Sequence, residues 1–148
     1  MTSLSVAPGS TLTAAPSQII AGFDRELDAS TVNMNTFILE ASNNDGTFGD
    51  GDDVMVTAAS ISVPGANPQS AVFDLTGVTL VDDTYRVRLL GSGASLIMDL
   101  DANALDGEFT GTFPSGNGTA GGDFATQFTI MTPVVLGPTL DEIQGAVF

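Results

Sequence analysis

The sequence has 148 residues, of which 43% are hydrophobic and 14% are charged, so it suits one globular domain with an apolar core and short extensions. Eighteen acidic residues against three basic ones give a net charge of −15. This charge excludes nucleic acid and anionic membrane surfaces as partners, because both bind through basic side chains. The chain has no Cys and no His, which excludes Cys/His zinc sites, thiol nucleophiles and Ser-His-Asp triads.

Short apolar segments bounded by Gly, Pro, Asn and Asp predict about seven β-strands. The clearest alternation lies in residues 85–89, where Tyr85, Val87 and Leu89 point one way and two arginines point the other. No amphipathic helix separates the segments, so the pattern predicts an all-β fold over residues 1–132, an immunoglobulin-like antiparallel β-sandwich. In chain order the predicted strands are residues 4–7, 19–23, 36–41, 54–63, 71–75, 85–89 and 124–130.

The same alternation predicts the core, because each sheet of a sandwich buries one face. Tyr85 follows residues 80–84 at the start of its strand, which is the arrangement of a tyrosine corner, where the phenol hydroxyl bonds to upstream backbone. An ordinary core tyrosine is the alternative. The expected core residues are Phe23, Phe37, Leu39, Phe73, Leu75, Tyr85, Val87, Leu89, Phe124 and Phe128.

Residues 133–148 have a different pattern. Pro133 and Pro138 bracket a short linker, and Thr139 with Glu142 three residues later fits a capping box. We expect a linker and the start of a truncated helix here, because so short a helix is not stable alone.

Four phrases of the sequence resemble the bacterial immunoglobulin-like family of S-layer and other cell-surface proteins. They are, in chain order, residues 15–23, 23–31, 80–87 and 97–105. The last is similar to the family's Asp-x-x-Gly-Asn-x-Leu signature, with Ala102 where the family has Gly. The resemblance covers about residues 5–130 and implies a secreted, non-catalytic module of a larger exported bacterial protein.

Residues 137–148 resemble the segment that precedes a c-type haem-binding Cys-x-x-Cys-His region in exported proteins. No Cys follows in the sequence, so we expect any such domain beyond Phe148. The first four residues are not a signal peptide, and no apolar stretch approaches the roughly 20 residues that cross a bilayer. We therefore expect an extracellular or cell-surface location, with the signal outside this sequence and no membrane insertion.

Residues 43–53 form the first acidic cluster, between two predicted strands. Calcium takes six to eight oxygen ligands from flexible loops, and alternating Asp and Gly residues allow such oxygens to converge. A solvated turn is the alternative. The candidate calcium ligands are Asp45, Asp50, Asp52 and Asp53.

The second acidic cluster begins like an EF-hand loop but departs from it. Ala104 stands where the loop requires Gly, and Thr110 stands where Glu should bind the ion. We expect a single calcium ion outside the EF-hand pattern, with a network of Asx turns as the alternative. The candidate ligands are Asp99, Asp101, Asn103 and Asp106, with Asp123 contributed by the glycine-rich loop at residues 115–123. Nearer the N-terminus, Arg25 is expected to form a local ion pair with Asp24, Glu26 or Asp28.

The leading functional hypothesis is a structural spacer that contacts neighbouring domains of the same polypeptide and is stiffened by calcium. A binding module for a glycan or a cell-surface protein is the second hypothesis, favoured if Phe48, Phe109 and Phe113 form an exposed aromatic cluster. A self-assembling fibre or matrix subunit is the third. We do not expect an enzyme, because the chain has no Trp and one Tyr for sugar stacking and no complete catalytic set.

Overall fold

A computed structural model describes residues 1–134 and contains nine strands and one short 3₁₀ turn. The strands pack as two sheets, so the predicted all-β sandwich is confirmed. The strands are β1 (Ser3–Leu4), β2 (Thr11–Leu12), β3 (Gln18–Gly22), β4 (Phe37–Ala41), β5 (Val54–Met55), β6 (Ser60–Ser62), β7 (Ser70–Asp74), β8 (Asp83–Leu89) and β9 (Phe124–Ile130). The 3₁₀ turn is Ala29–Thr31, and Asp28 caps it. The predicted linker and helix start at residues 135–148 lie outside the described residues.

The order of the strands is that of an immunoglobulin-like sandwich. One sheet has the order β1-β3-β7-β6 and the other has the order β2-β9-β8-β4-β5. These correspond to the A-B-E-D sheet and the G-F-C sheet of that fold, with β2 added beside strand G and β5 added beside strand C. Every pair is antiparallel except β2 with β9, which is parallel, so the second sheet is mixed.

Two local differences explain why nine strands form where about seven were predicted. The predicted strand at residues 54–63 splits, because β5 pairs with β4 in one sheet and β6 pairs with β7 in the other. The short strand β2 was not predicted, since its two residues are partly exposed and show no alternation. Both differences lie at sheet edges, where short strands close the sandwich.

The core lies between the two sheets and has the predicted members. The outward faces also follow the prediction, since Arg86 and Arg88 point away from the core on β8. The ten predicted core residues are all at most 7% exposed, which confirms the register: Phe23, Phe37, Leu39, Phe73, Leu75, Tyr85, Val87, Leu89, Phe124 and Phe128.

Tyr85 forms the predicted tyrosine corner. Its hydroxyl donates to the backbone carbonyl of Val81 at 2.7 Å, and its ring stacks on Phe128 with centroids 5.4 Å apart. Burial, the largest influence, raises the pKa of the Tyr85 phenol above its ordinary value. The corner therefore fixes the loop before β8 to the start of that strand.

The loops fall at two ends of the sandwich, about 20 Å apart along the seven residues of β8. We call the end formed by residues 42–53, 75–82 and 131–134 the corner end. We call the end formed by residues 23–36, 64–69 and 90–123 the long-loop end. The first acidic cluster lies at the corner end and the second at the long-loop end. Among residues 1–134, no helix has the length and hydropathy to cross a membrane.

Candidate functional site

The three arginines are the only basic side chains in the sequence, and each has an acidic partner. Arg86 and Arg88 contact Glu40 on the neighbouring strand, with nitrogen–oxygen distances of 2.7 Å and 2.8 Å. Arg25 Nη1 lies 3.4 Å from Asp99 Oδ2. Because there are 18 acidic residues, most carboxylates have no cation of this chain beside them.

The acidic loop at residues 43–53 is held at its start by a buried carboxylate. Asp83 Oδ1 accepts hydrogen bonds from Ser42 Oγ at 2.7 Å and from Asn44 N at 3.1 Å. Ser42 Oγ in turn accepts from Gly46 N at 3.0 Å. These bonds position the first half of the loop on strands β4 and β8.

The loop is held at its end by Asp53. Asp53 Oδ2 accepts from Gly49 N at 2.6 Å and lies 3.9 Å from Arg86 Nη2. The Arg86 guanidinium lies 4.7 Å from the centroid of the Phe48 ring, a cation–π contact that seats the middle of the loop on the outer face of the sheet. The loop is therefore anchored on both sides of its remaining carboxylates.

Three exposed carboxylates converge at the tip of this loop. Asp45, Asp50 and Asp52 each offer an oxygen, and these oxygens all lie within 4.8 Å of one another. Thr47 Oγ1 lies 2.8 Å from Asp45 Oδ2 and 2.5 Å from Asp50 Oδ2, and its one hydroxyl hydrogen is shared between the two carboxylates. Asn43 Nδ2 donates to Asp52 Oδ2 at 3.3 Å. Among residues 1–134, the side chains that donate to the cluster are thus neutral.

The pKa values reflect this crowding. Hydrogen bonds from the Thr47 hydroxyl, first, and from Asp52 lower the pKa of Asp50 to about 2. The shared hydrogen bond with Asp50, more than any other influence, raises the pKa of Asp52. The two carboxyls therefore titrate as a pair, in which one proton offsets part of the repulsion that a divalent cation would remove.

The first predicted ligand set thus divides. Asp45, Asp50 and Asp52 come together, whereas Asp53 turns to Gly49 and Arg86 and acts as an anchor. Thr47 was missed, although its place two residues after Asp45 is the usual spacing of an Asx turn, in which the Asp side chain accepts from the downstream backbone N–H.

In the second acidic cluster, Asp99 is buried and its oxygens are occupied by the chain itself. Asp99 Oδ1 accepts from the backbone of Asp101 at 2.9 Å and of Asn103 at 2.8 Å, and Oδ2 accepts from Asn103 Nδ2 at 2.9 Å. The Asn103 side chain is the largest of the influences that lower the pKa of Asp99. Ala102, where the resembling family has Gly, has φ of +63°, so the turn keeps a left-handed backbone.

Asp106 bonds to a different loop. Its two oxygens each accept a backbone hydrogen bond at 2.8 Å, one from Asn117 and one from Gly118. These backbone donors, with the Asn117 bond first, lower the pKa of Asp106. Its carboxylate therefore fixes the glycine-rich loop rather than facing Asp99.

Asp123 bonds to a third segment, since its Oδ1 accepts from Gly91 N at 2.9 Å and Ser92 N at 3.0 Å. In the part of the chain that the structure describes, only the corner-end loop brings three carboxylate oxygens together. A second calcium ion stays a prediction. Of its proposed ligands, Asp99, Asp101, Asn103, Asp106 and Asp123, only Asp99 forms an Asx turn of the alternative network, whereas Asp106 and Asp123 accept from the backbone of distant loops.

The expected local ion pair of Arg25 is wrong. Its partner is Asp99, 74 residues later, because a β-bridge between Leu27 and Asp99 brings the two segments side by side. Asp28, a predicted partner, instead accepts from Ser30 at the start of the 3₁₀ turn.

Phe48, Phe109 and Phe113 do not form one exposed aromatic cluster. Phe109 and Phe113 are half-buried and pack on the core ring of Phe124, with centroids 5.0 Å and 5.9 Å away. Phe48 lies at the opposite end of the sandwich, against Arg86. This feature, which would have favoured a glycan platform, is therefore not present in the described part of the chain.

No family model, no curated protein and no solved structure matches this chain. The geometry of the loops is consequently the basis for a functional assignment.

Proposed function

We propose that this chain is a non-catalytic structural module of a larger exported protein, and that calcium bound at Asp45, Asp50 and Asp52 stiffens its corner end. The observation that carries the proposal is the convergence of these three carboxylates on a loop anchored at both sides. Three carboxylates provide three to six of the oxygens that calcium takes, and water completes the shell.

The charge balance supports a bound cation at this place. All three arginines are engaged with other carboxylates, so none lies among the three aspartates. A net charge of −15 opposes the compact state by self-repulsion, and a divalent cation between carboxylates converts local repulsion into cross-linking. Because the loop follows β4 directly and leads into β5, the ion would stiffen the edge of one sheet.

The immunoglobulin-like strand order supports a modular role, since such domains recur in cell-surface proteins. The resemblance of four sequence phrases to bacterial S-layer domains supports an extracellular or cell-surface location, where calcium is abundant. In this setting the module acts as a spacer between neighbouring domains of the same polypeptide.

The test is calcium titration of the intact chain, followed by calorimetry and by amide NMR. Extracellular modules bind calcium at about 10⁻⁴–10⁻³ M, so about 10 mM calcium, which is about 10 to 100 times the dissociation constant, stabilises the folded state by about 1.4–2.7 kcal/mol. We expect millimolar calcium to raise the melting temperature by several degrees, to shift the amides of Gly46, Thr47 and Gly51, and to act more strongly than magnesium, which prefers rigid octahedral sites.

Three variants locate the ion. Asp50→Asn should remove most of the calcium shift, whereas Asp82→Asn, at the same end with the same loss of charge, should keep it. Asp101→Asn reports on the second loop and should leave the shift unchanged if one ion binds. Identical melting curves in calcium and in chelator, with no heat of binding, would show that the aspartate cluster is a solvated turn.

A further inference from the structure

The long-loop end contains a cavity of about 510 Å³, which is within the usual size of small-ligand sites. We call it the end cavity. Its floor is apolar and belongs to the core, since Phe23, Leu27, Ile97 and Leu105 are each at most 8% exposed. Its position among the loops at one end of the sandwich is where other immunoglobulin-like domains bind their ligands.

The polar part of the lining carries mostly negative charge. The carboxylates of Asp24, Asp99 and Asp106 line the end cavity, and Arg25 is the only basic side chain there. Asp99 has a side chain that is 9% exposed, and its oxygens accept hydrogen bonds from the turn that follows it.

One cation of this chain already lies at the end cavity. Arg25, with a side chain 63% exposed, reaches Asp99 only at 3.4 Å, a long and solvent-screened contact. The lining therefore suits a positive group at the rim above an apolar floor.

We propose that the end cavity binds organic cations that carry an ammonium or guanidinium head on an apolar body. The apolar body contacts Leu27, Ile97 and Leu105, and the head lies between Asp24 and Asp106 or replaces the weak contact of Arg25 with Asp99. Anions are disfavoured by the three carboxylates and by the net charge of −15. This site is independent of the proposed calcium site, which lies at the corner end.

The same chemistry is present in a free amine and in a basic side chain next to an apolar residue of a partner protein. The probes are therefore 2-phenylethylammonium, its neutral analogue 2-phenylethanol, and the peptide acetyl-Phe-Lys-amide. Titration into the isotopically labelled intact chain, in chelator, follows the amides of Ile97, Leu105 and Gly116. We expect saturable shifts with both cations, at least about tenfold weaker binding of the alcohol, and weaker cation binding at high salt.

Two variants with the same loss of charge test the assignment. Asp24 is exposed and forms no side-chain hydrogen bond with the described residues, so Asp24→Asn should leave the fold intact and weaken cation binding by about fivefold to tenfold. Glu26→Gln, two residues later and outside the end cavity, should change binding by less than about twofold. Arg25→Gln should strengthen binding, because it removes the internal competitor for Asp99.

Tighter binding of the peptide than of the amine would identify a basic segment of a partner as the source, and the reverse order would identify a free amine. Equal shifts from alcohol and cation, equal losses in Asp24→Asn and Glu26→Gln, or no saturable shift at all would overturn the proposal. None of these outcomes depends on calcium, so failure of this site is distinguishable from failure of the calcium proposal.

Discussion

The two ends of the sandwich use their aspartates in opposite ways. At the long-loop end, Asp106 and Asp123 each accept hydrogen bonds from the backbone of another segment and tie two loops together, while Asp99 accepts from the backbone of its own turn. At the corner end, Asp50 and Asp52 face each other and one neutral hydroxyl. Backbone donors satisfy one set, while the carboxylates of the other set lie close to one another.

This difference follows from the chain between the aspartates. The long-loop end has more than thirty residues between β8 and β9, which is enough backbone to fold over each carboxylate and donate to it. The corner-end loop has eleven residues, and most of its glycines keep their N–H groups outside the aspartate cluster. Acidic composition alone therefore does not distinguish a loop whose carboxylates accept backbone hydrogen bonds from one whose carboxylates crowd together.

The largest expected effect comes from removing the buried aromatic ring that supports each end of the sandwich. Phe124 carries the half-buried Phe109 and Phe113 at the long-loop end, and Phe128 stacks on Tyr85 at the corner end. Since both rings are at most 1% exposed, Phe124→Ala and Phe128→Ala should each cost about 3–5 kcal/mol by creating a cavity.

The melting temperature should then fall by about 10 °C in either variant. Hydrogen exchange separates the two: Phe124→Ala should expose amides in residues 105–122, and Phe128→Ala should expose those in residues 81–85. Equal exchange patterns would mean that the ends are not supported separately.

The next test concerns the ion-pair network beneath the corner-end loop. Glu40 is 6% exposed and accepts from Arg86 and Arg88 at 2.8 Å each, so Glu40→Gln should cost about 1–3 kcal/mol. Ala125→Gln, on the exposed outer face of the same sheet, serves as a control for altered surface polarity and should change stability by less than about 0.5 kcal/mol.

The same network predicts a pH dependence. Burial alone would raise the pKa of Glu40, but the hydrogen bonds and the positive charges of Arg88 and Arg86 together hold this pKa below its ordinary value of 4.5. The stabilisation is therefore present above pH 4.5 and is lost as the pH falls through the lower pKa of the folded state. Acid titration of the free energy of unfolding should show a smaller loss below pH 4.5 in Glu40→Gln than in the original chain. An unchanged slope would contradict the role of this ion pair.

Because the two ends use their aspartates differently, we expect two variants, both measured in chelator, to shift the melting temperature in opposite directions. Backbone donors lower the pKa of Asp106, so its charged form favours folding and Asp106→Asn should lower the melting temperature at neutral pH. Asp50 raises the pKa of Asp52, so the charged form opposes folding and Asp52→Asn should raise the melting temperature. A shift of the same sign in both variants would remove the distinction between the two ends.

The sequence predicted the sandwich well because alternation reports burial directly. Residues 85–89 show it in one strand, and the corner contact of Tyr85 with Val81 follows from the residues before that strand. Strand β2 was missed, and β5 and β6 were merged into one prediction, because strands of two or three residues are too short to show alternation. Only their pairing with β9, β4 and β7 defines them.

The sequence indicated which acidic residues form the candidate sites, but it indicated their contacts less well. Asp45, Asp50 and Asp52 converge as expected, because a short loop keeps them near each other. The partner of Arg25 was not predictable, since Asp99 is 74 residues away and only the β-bridge from Leu27 brings it close. The end cavity was missed for the same reason, because its lining comes from segments that are separated in sequence.

The smallest expected effect concerns Ala102, at the turn that positions Asp99. Its φ of +63° lies in the left-handed region, which costs a residue with a side chain about 1–2 kcal/mol and costs Gly almost nothing. Ala102→Gly also increases the entropy of the unfolded chain, which offsets about 0.4–1 kcal/mol of the gain. We therefore expect a net stabilisation of about 0.5–1 kcal/mol, measured as a shift of about 1–4 °C in the melting temperature. Ala104→Gly, two residues later and without a positive φ, is the matched control and should destabilise, because it adds the entropy cost without relieving strain. Destabilisation of both variants by the same amount would mean that the left-handed turn at the long-loop end is not strained.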